Sequence, residues 1–379
     1  MKNILLFLLF FIPFSFNSYA TIEIDITEGN REPLPIAITN FFHDGNEKIT
    51  NTDLPSKIRG VIQNDLESTG LFNSIDEKAF IQENKSLHLK PRFADWRLIN
   101  SQGLVTGDLK IEDDRLKVEF RLWDTLAEKE IEGLVLITTP DNWRRISHMI
   151  ADKIYERLTG EEGYFDTRIV YVAEEGPKNN RVKKLAIMDQ DGANHKFLTS
   201  GKELVLTPRF NPVRQEITYL SYFKNLPRVY LLNIQTGIQE VVGDFPGMTF
   251  APRFSPDGNK IIMSLAREGN SDIYVMDLNS RVVERLTDSP AIDTSPSYSP
   301  NGKKITFNSD RGGSQQIYVM DSNGRNQKRI SKGSGNYATP VWSPRGDLIA
   351  FTKNFQGQYF IGVMRTDGTG ERLLTENWY

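Results

Sequence analysis

Apolar positions in the second half of the chain fall in short runs. Ile261 to Leu265, Ile273 to Leu278 and Val282 to Leu286 are rich in branched and aromatic residues and are separated by clusters of Gly, Asn and Asp. That rhythm predicts strands joined by tight turns. It repeats every 44 residues, at Pro208-Arg209-Phe210-Asn211-Pro212, Pro252-Arg253-Phe254-Ser255-Pro256, Pro296-Ser297-Tyr298-Ser299-Pro300 and Pro340-Val341-Trp342-Ser343-Pro344. A second phase, beginning at Leu185, Val229, Ile273, Ile317 and Ile361, keeps the same step. In Ser255-Pro256-Asp257-Gly258 the proline presets φ for a turn and the glycine lets the chain leave it. Four antiparallel strands in a repeat of about 40 to 50 residues predict the blade of a β-propeller.

The first copy starts at Ile169-Val170-Tyr171-Val172 with no proline-aromatic strand before it, and a further copy would open at 384, beyond Tyr379. The expectation is therefore an all-β propeller over 165–379 with WD40-like repeats. Five copies are visible and the closing end is missing, through a truncated or fragmentary sequence. The loops leading into the proline-aromatic strands, Pro246 to Ala251, Pro290 to Ser295 and Gly333 to Thr339, differ between copies, and variable loops on a repeated scaffold are where binding usually resides.

The earlier half reads as a mixed α/β domain, 21–160. Ile22-Glu23-Ile24-Asp25-Ile26 alternates as an extended segment, and Pro35 to Phe42 reads as a strand. Ile58, Val61, Ile62 and Leu66 share one helical face, with Asp53 as the capping residue and Gly70 as the stop. Leu104 to Ile111 and Leu116 to Trp123 flank Glu112-Asp113-Asp114-Arg115 as a hairpin, Lys129 to Ile137 adds a strand, and Thr139-Pro140 opens a helix ending near Gly160. Before this domain, Lys2, an apolar run from Ile4 to Phe16 and Ser18-Tyr19-Ala20 form a secretory signal, 1–20, cleaved after Ala20. The run is shorter than the roughly 20 apolar residues of a membrane span and is broken by Pro13.

Of 379 residues, 46 are basic and 49 acidic, a net charge of −3 that gives no reason to expect nucleic acid as partner. With no cysteine, disulfides, thiolate nucleophiles and thiolate metal sites are excluded, and the four histidines, His43, His88, His148 and His195, lack ligand spacing. Gly333-Ser334-Gly335-Asn336-Tyr337-Ala338 fits a dinucleotide fingerprint only in letters, since it sits between blades. Asp189-Gln190-Asp191-Gly192 lacks the third ligand and the closing Glu of a calcium loop, and reads as a turn between blade strands. The Asp277 and Asp321 class recurs with the repeat, which points to a structural role. No nucleophile elbow, zinc-protease helix or phosphate-binding loop occurs. The reading is a non-enzyme without cofactor or metal.

Taken together with Asp65-Leu66-Glu67-Ser68-Thr69-Gly70-Leu71-Phe72, Tyr155-Glu156-Arg157-Leu158-Thr159-Gly160 and Arg168-Ile169-Val170-Tyr171-Val172, this order resembles the TolB family of the Tol-Pal cell-envelope system, along essentially all of the mature chain. The resemblance implies a six-bladed propeller and a periplasmic scaffold attached to membranes only through its partners. It implies that one propeller face, including Met248, Ala251 and Thr294, binds the lipoprotein Pal. It also implies that the N-terminal segment Thr21 to Arg31, with Ile22, Glu23, Ile24, Asp25 and Ile26, binds TolA and joins the inner-membrane Tol proteins, by adding a strand to a partner's sheet. Outer-membrane integrity and constriction at division would depend on that link. Two alternatives differ in class. One is the propeller of a prolyl-oligopeptidase-like serine peptidase whose hydrolase domain is missing; the other is a sugar- or small-molecule-binding propeller using Tyr298 and Trp342, although those positions usually pack between blades.

Overall fold

A computed structural model describes residues 22–24, 32–43, 53–82, 89–223, 226–243, 245, 248–267 and 269–375. The signal segment and its cleavage site after Ala20 lie outside these residues. The chain divides into two compact units, Met1–Thr167 and Arg168–Tyr379.

The first unit contains β1 (Leu34–Ile38), α1 (Leu54–Ser68), β2 (Phe72–Ser74), α2 (Phe93–Leu98), β3 (Gly103–Glu112), β4 (Arg115–Asp124), β5 (Lys129–Thr138) and α3 (Trp143–Thr159). The five strands form one sheet in the order β2-β1-β3-β4-β5, with β1 parallel to β2 and β3 and the rest antiparallel. Strict alternation in β4 turns Leu116, Val118, Phe120 and Leu122 inward, where they pack with Ile58, Ile62 and Leu66 of α1 and Ile150, Ile154 and Leu158 of α3. A second, smaller cluster gathers Ala37, Phe93, Trp96, Leu104 and Trp123. Its indole N–H groups are satisfied: Trp96 donates to Gln82 Oε1 at 3.1 Å and Trp123 to Thr106 Oγ1 at 2.9 Å. The hairpin turns at Asp113 and Asp114, both at positive φ, as a two-residue turn matched to strand twist requires. Asp65 and His148, both buried, join α1 to α3 through a 2.6 Å contact. Their separation by 83 positions hid that pair from a reading based on histidine spacing.

Asp53 precedes α1, but its side chain caps no backbone N–H. Pro55 supplies no amide in the first turn, and the Asp53 carboxylate instead accepts from Ser56 Oγ at 2.7 Å. The expected capping bond is thus corrected to a side-chain pair. Asp53→Ala should cost less than about 0.5 kcal/mol in urea unfolding, below the ~1 kcal/mol typical of a cap that holds the backbone.

The second unit is built of blade sheets. The first has three strands, β6 (Arg168–Glu175), β7 (Val182–Asp189) and β8 (Lys196–Phe197). The second has β9 (Val205–Phe210), β10 (Glu216–Phe223), β11 (Leu226–Asn233) and β12 (Gln239–Gly243). The third has β13 (Met248–Phe254), β14 (Lys260–Arg267), β15 (Asn270–Asp277) and β16 (Val283–Arg285). The fourth has β17 (Asp293–Tyr298), β18 (Lys304–Ser309), β19 (Gln316–Asp321) and β20 (Lys328–Arg329). The fifth has β21 (Asn336–Trp342), β22 (Leu348–Phe355), β23 (Gln358–Arg365) and β24 (Arg372–Leu373). The described residues therefore form five blades, one for each copy visible in the sequence, and not the six that the resemblance implies. As the sequence indicated, the first blade lacks the proline-aromatic strand, which leaves β6 at an edge of its sheet.

The Ser-Pro-x-Gly turns close as expected. Gly258, Gly302 and Gly346 sit at positive φ and donate to the carbonyls of Ser255, Ser299 and Ser343 at 2.9 Å. A second device, unseen in the sequence, latches the outer strands: the hydroxyls of Thr199, Thr287, Ser331 and Thr375 accept from the backbone N–H of Leu185, Ile273, Ile317 and Ile361 at 2.9–3.0 Å. Among the described residues no helix is long and apolar enough to cross a membrane.

Candidate functional site

The inner strands carry the three propeller positions singled out by the sequence. Met248, Ala251 and Thr294 were expected in loops, but all three lie within strands: Met248 pairs with Ala266 and Thr294 with Asn308, while Ala251 lies between the paired residues Phe250 and Arg253 of β13. The reason is a bulge placed just before the proline. Between Phe250 and Arg253 the register advances three residues against two on β14, and the same single-residue excess occurs in β9, β17 and β21. The bulged residues Thr207, Ala251, Ser295 and Thr339 all have φ near +50°. Proline cannot donate to a ladder, so it marks a break in the strand and was misread as its start.

β13 and β17 lie side by side in adjacent blades. Ser295 N donates across to Ser264 Oγ of blade three at 3.2 Å, and Ser271 Oγ donates to the Asp293 carbonyl at 3.1 Å. Thr294 is half-buried, with its hydroxyl 3.5 Å from Asn308 Oδ1. Asn308 in turn donates to the carbonyl of Tyr337 on the next inner strand. The strongest electrostatic feature here was not found from the sequence. Asp293, fully buried beside Thr294, accepts from Arg311 Nη2 at 2.7 Å, and the Arg311 guanidinium lies over the rings of Tyr318 and Phe307 at 5.0 and 5.4 Å. Asp293 and Arg311 are 18 positions apart, and no 44-residue comparison reveals them. In blade three, Asp272 accepts from Arg285 Nη2 at 2.6 Å, and that bond raises the Arg285 pKa above its ordinary value.

The recurrent aspartates serve turns. Asp277 accepts from the amides of Ser280 and Asn279 at 2.9 and 3.0 Å, which holds its carboxyl below the usual range, and Asp321 is held low by Lys304 and Asn326. Asp189 to Gly192 is a turn between β7 and β8, closed by Gly192 N to Asp189 O at 2.9 Å.

Of the N-terminal segment, Ile22, Glu23 and Ile24 are described; Asp25 and Ile26 lie outside the described residues. The three are not strand-paired. Ile24 N donates to the Leu158 carbonyl at 2.6 Å, one of the carbonyls left open in the last turn of α3, and Ile22 N donates to Asp124 Oδ2 at 3.2 Å. Both isoleucine side chains pack on the core of the α/β unit, and Glu23 is exposed.

An α/β unit followed by blades built on one repeat defines the chain by class as a propeller protein with an amino-terminal α/β domain. Residues 22–131 match the TolB amino-terminal domain and residues 155–379 the TolB beta propeller domain. The chain belongs to the TolB family. It is 66% identical over 252 residues to the Tol-Pal system protein TolB of Pelagibacter ubique (strain HTCC1062), covering 65% of this chain and 56% of that one. It is 57% identical over 234 residues to that of Paramagnetospirillum magneticum, covering 61% and 51%. The chain thus spans about half the length of the curated relatives it matches. The crystal structure of TolB from Acinetobacter baumannii superposes with a TM-score of 0.79 at 30% identity, covering 94% of this chain and 86% of that one.

Proposed function

We propose that this chain is a periplasmic, non-enzymatic scaffold of the Tol-Pal system, binding the lipoprotein Pal through the propeller and TolA through its N-terminal segment. In this role it links the outer membrane to the inner-membrane Tol proteins and supports envelope integrity and constriction at division. The observation that carries the reading is the match of both units, in order, to the two TolB domains. The peptidase alternative finds no support in relatives named as Tol-Pal components.

The Pal face is assigned to the strand segments at Met248, Ala251 and Thr294, where β17 is bonded to β14 and β15 of the preceding blade through Ser264 and Ser271. A face held in this way presents a preorganised surface, which lowers the cost of binding. The TolA segment is assigned to Ile22 through Ile26. Its hold on the α/β unit through few backbone bonds fits a segment that exchanges its own contacts for a partner's sheet edge.

Thr294→Arg should weaken Pal binding by about tenfold or more in titration calorimetry. Removing residues 21–31 should abolish TolA capture and leave Pal affinity intact. Unchanged Pal affinity in the arginine variant, with the fold preserved, would refute the assignment of this face.

A further inference from the structure

The segments below the bulges, where the inner strands end, meet around one cavity of about 430 Å³. Phe210, Phe254, Tyr298 and Trp342, one from each of four blades, line it. Equivalent positions of successive blades converge only at the propeller axis, so the cavity is one end of the central channel. Tyr298 and Trp342, expected between blades, therefore face the channel as well as packing on neighbouring cores.

The charge around this cavity is one-sided. Arg209 and Arg253 line it where the next two copies have Ser297 and Val341, and among the described residues no Asp or Glu does. Three other propeller arginines are matched to acids: Arg281 to Glu240, Arg285 to Asp272 and Arg311 to Asp293. The cavity pair is not. Arg209 Nη1 donates to the adjacent Pro208 carbonyl at 2.8 Å, while Arg253 Nε is buried with no acceptor. The buried indole N–H of Trp342 has none either. Burial, reinforced by the like charge of Arg209, pushes the Arg253 guanidinium down to about 10, and burial lowers Arg209 too. Two cations held together without a counter-charge cost free energy that an anion between them recovers.

We propose that this end of the channel binds a small organic anion. Its carboxylate or phosphate head sits between Arg209 and Arg253, its apolar body lies against the ring of aromatics, and an acceptor atom meets the Trp342 N–H. Planar guanidinium donors suit an oxyanion, and aromatic walls with few polar groups suit an apolar body. The site is separate from the partner face, because it lies below the bulges on which Ala251 and Ser295 sit.

The test titrates 3-phenylpropionate into the full chain at fixed ionic strength while following the Trp342 indole N–H resonance, identified with Trp342→Phe. A saturable shift in the millimolar range or tighter is expected, with acetate weaker and 3-phenylpropanol inert. Phenyl phosphate run in parallel shows which oxyanion head is preferred. Arg253→Gln should weaken the acid by about tenfold or more, and it should leave the ligand-free melting temperature unchanged or higher, since an unmatched charge is removed. An arginine needed only for folding would lower it. Arg209→Gln provides the same test should Arg253→Gln fail to fold. No saturable shift with either anion, equal binding of the alcohol, or unchanged affinity in the glutamine variants would overturn the proposal.

Discussion

Gly368→Ala is expected to destabilise the propeller by about 3 kcal/mol, seen as a lower urea midpoint with an unchanged slope. Gly368 has φ +85°, where a side chain costs roughly 1–2 kcal/mol. A Cβ built there would lie 2.0 Å from the Ile330 carbonyl oxygen of the preceding blade. That atom is backbone and cannot rotate away, so the blades must separate, at an overpacking cost of typically 1–3 kcal/mol. Gly324, one repeat earlier, meets the Leu286 carbonyl at 2.3 Å and should behave alike. Gly192 has the same sign of φ at +86° but no atom within 4 Å, so Gly192→Ala should cost only the backbone strain. Equal losses at Gly192 and Gly368 would show that the blades do not touch there.

Asp293→Ala should cost about 3 kcal/mol and, on the proposed function, also weaken binding of Pal. Its carboxylate is fully buried while Arg311 keeps 23% side-chain exposure. Removing the acid strands a guanidinium between two rings, and breaking a buried pair typically costs 3–5 kcal/mol; the partial exposure of Arg311 places this case at the low end. Because Asp293 precedes Thr294 and its own carbonyl accepts from Ser271, the loss should reach the candidate face. The double variant Asp293→Leu, Arg311→Met should recover at least half of the stability, since no charge is then left unmatched. A double variant as unstable as the single would mean that the pair acts through its wider bonds to Ser309 and Gln327 rather than through charge.

The repeat made the propeller legible because each blade solves the same local problem with the same residues. Turns at Ser255, Ser299 and Ser343 and strands at 44-residue steps need only neighbours in sequence to be inferred. The α/β unit was legible for a similar reason: alternation in β4 and the helical face of α1 record which side meets the core. What escaped were contacts joining distant positions. Asp65 with His148 and Asp293 with Arg311 depend on how strands and helices are placed, and no local pattern encodes that, whereas the repeat already aligned Arg209 with Arg253. The start of each inner strand escaped for a different reason. A proline looks like a boundary, whereas here the chain has already been paired for several residues and has bulged to admit it.

That bulge divides each inner strand into two storeys. Below it, Pro-Arg-Phe, Pro-Arg-Phe, Pro-Ser-Tyr and Pro-Val-Trp keep one plan, because their side chains must share the crowded axis. Above it, Val-Leu, Met-Thr-Phe, Asp-Thr and Asn-Tyr-Ala have nothing in common. The extra residue takes up the mismatch in register, so a change in the upper storey does not propagate into the lower. Within a single strand of six or seven residues, the side chains above the bulge can therefore differ from blade to blade while the plan below it is kept.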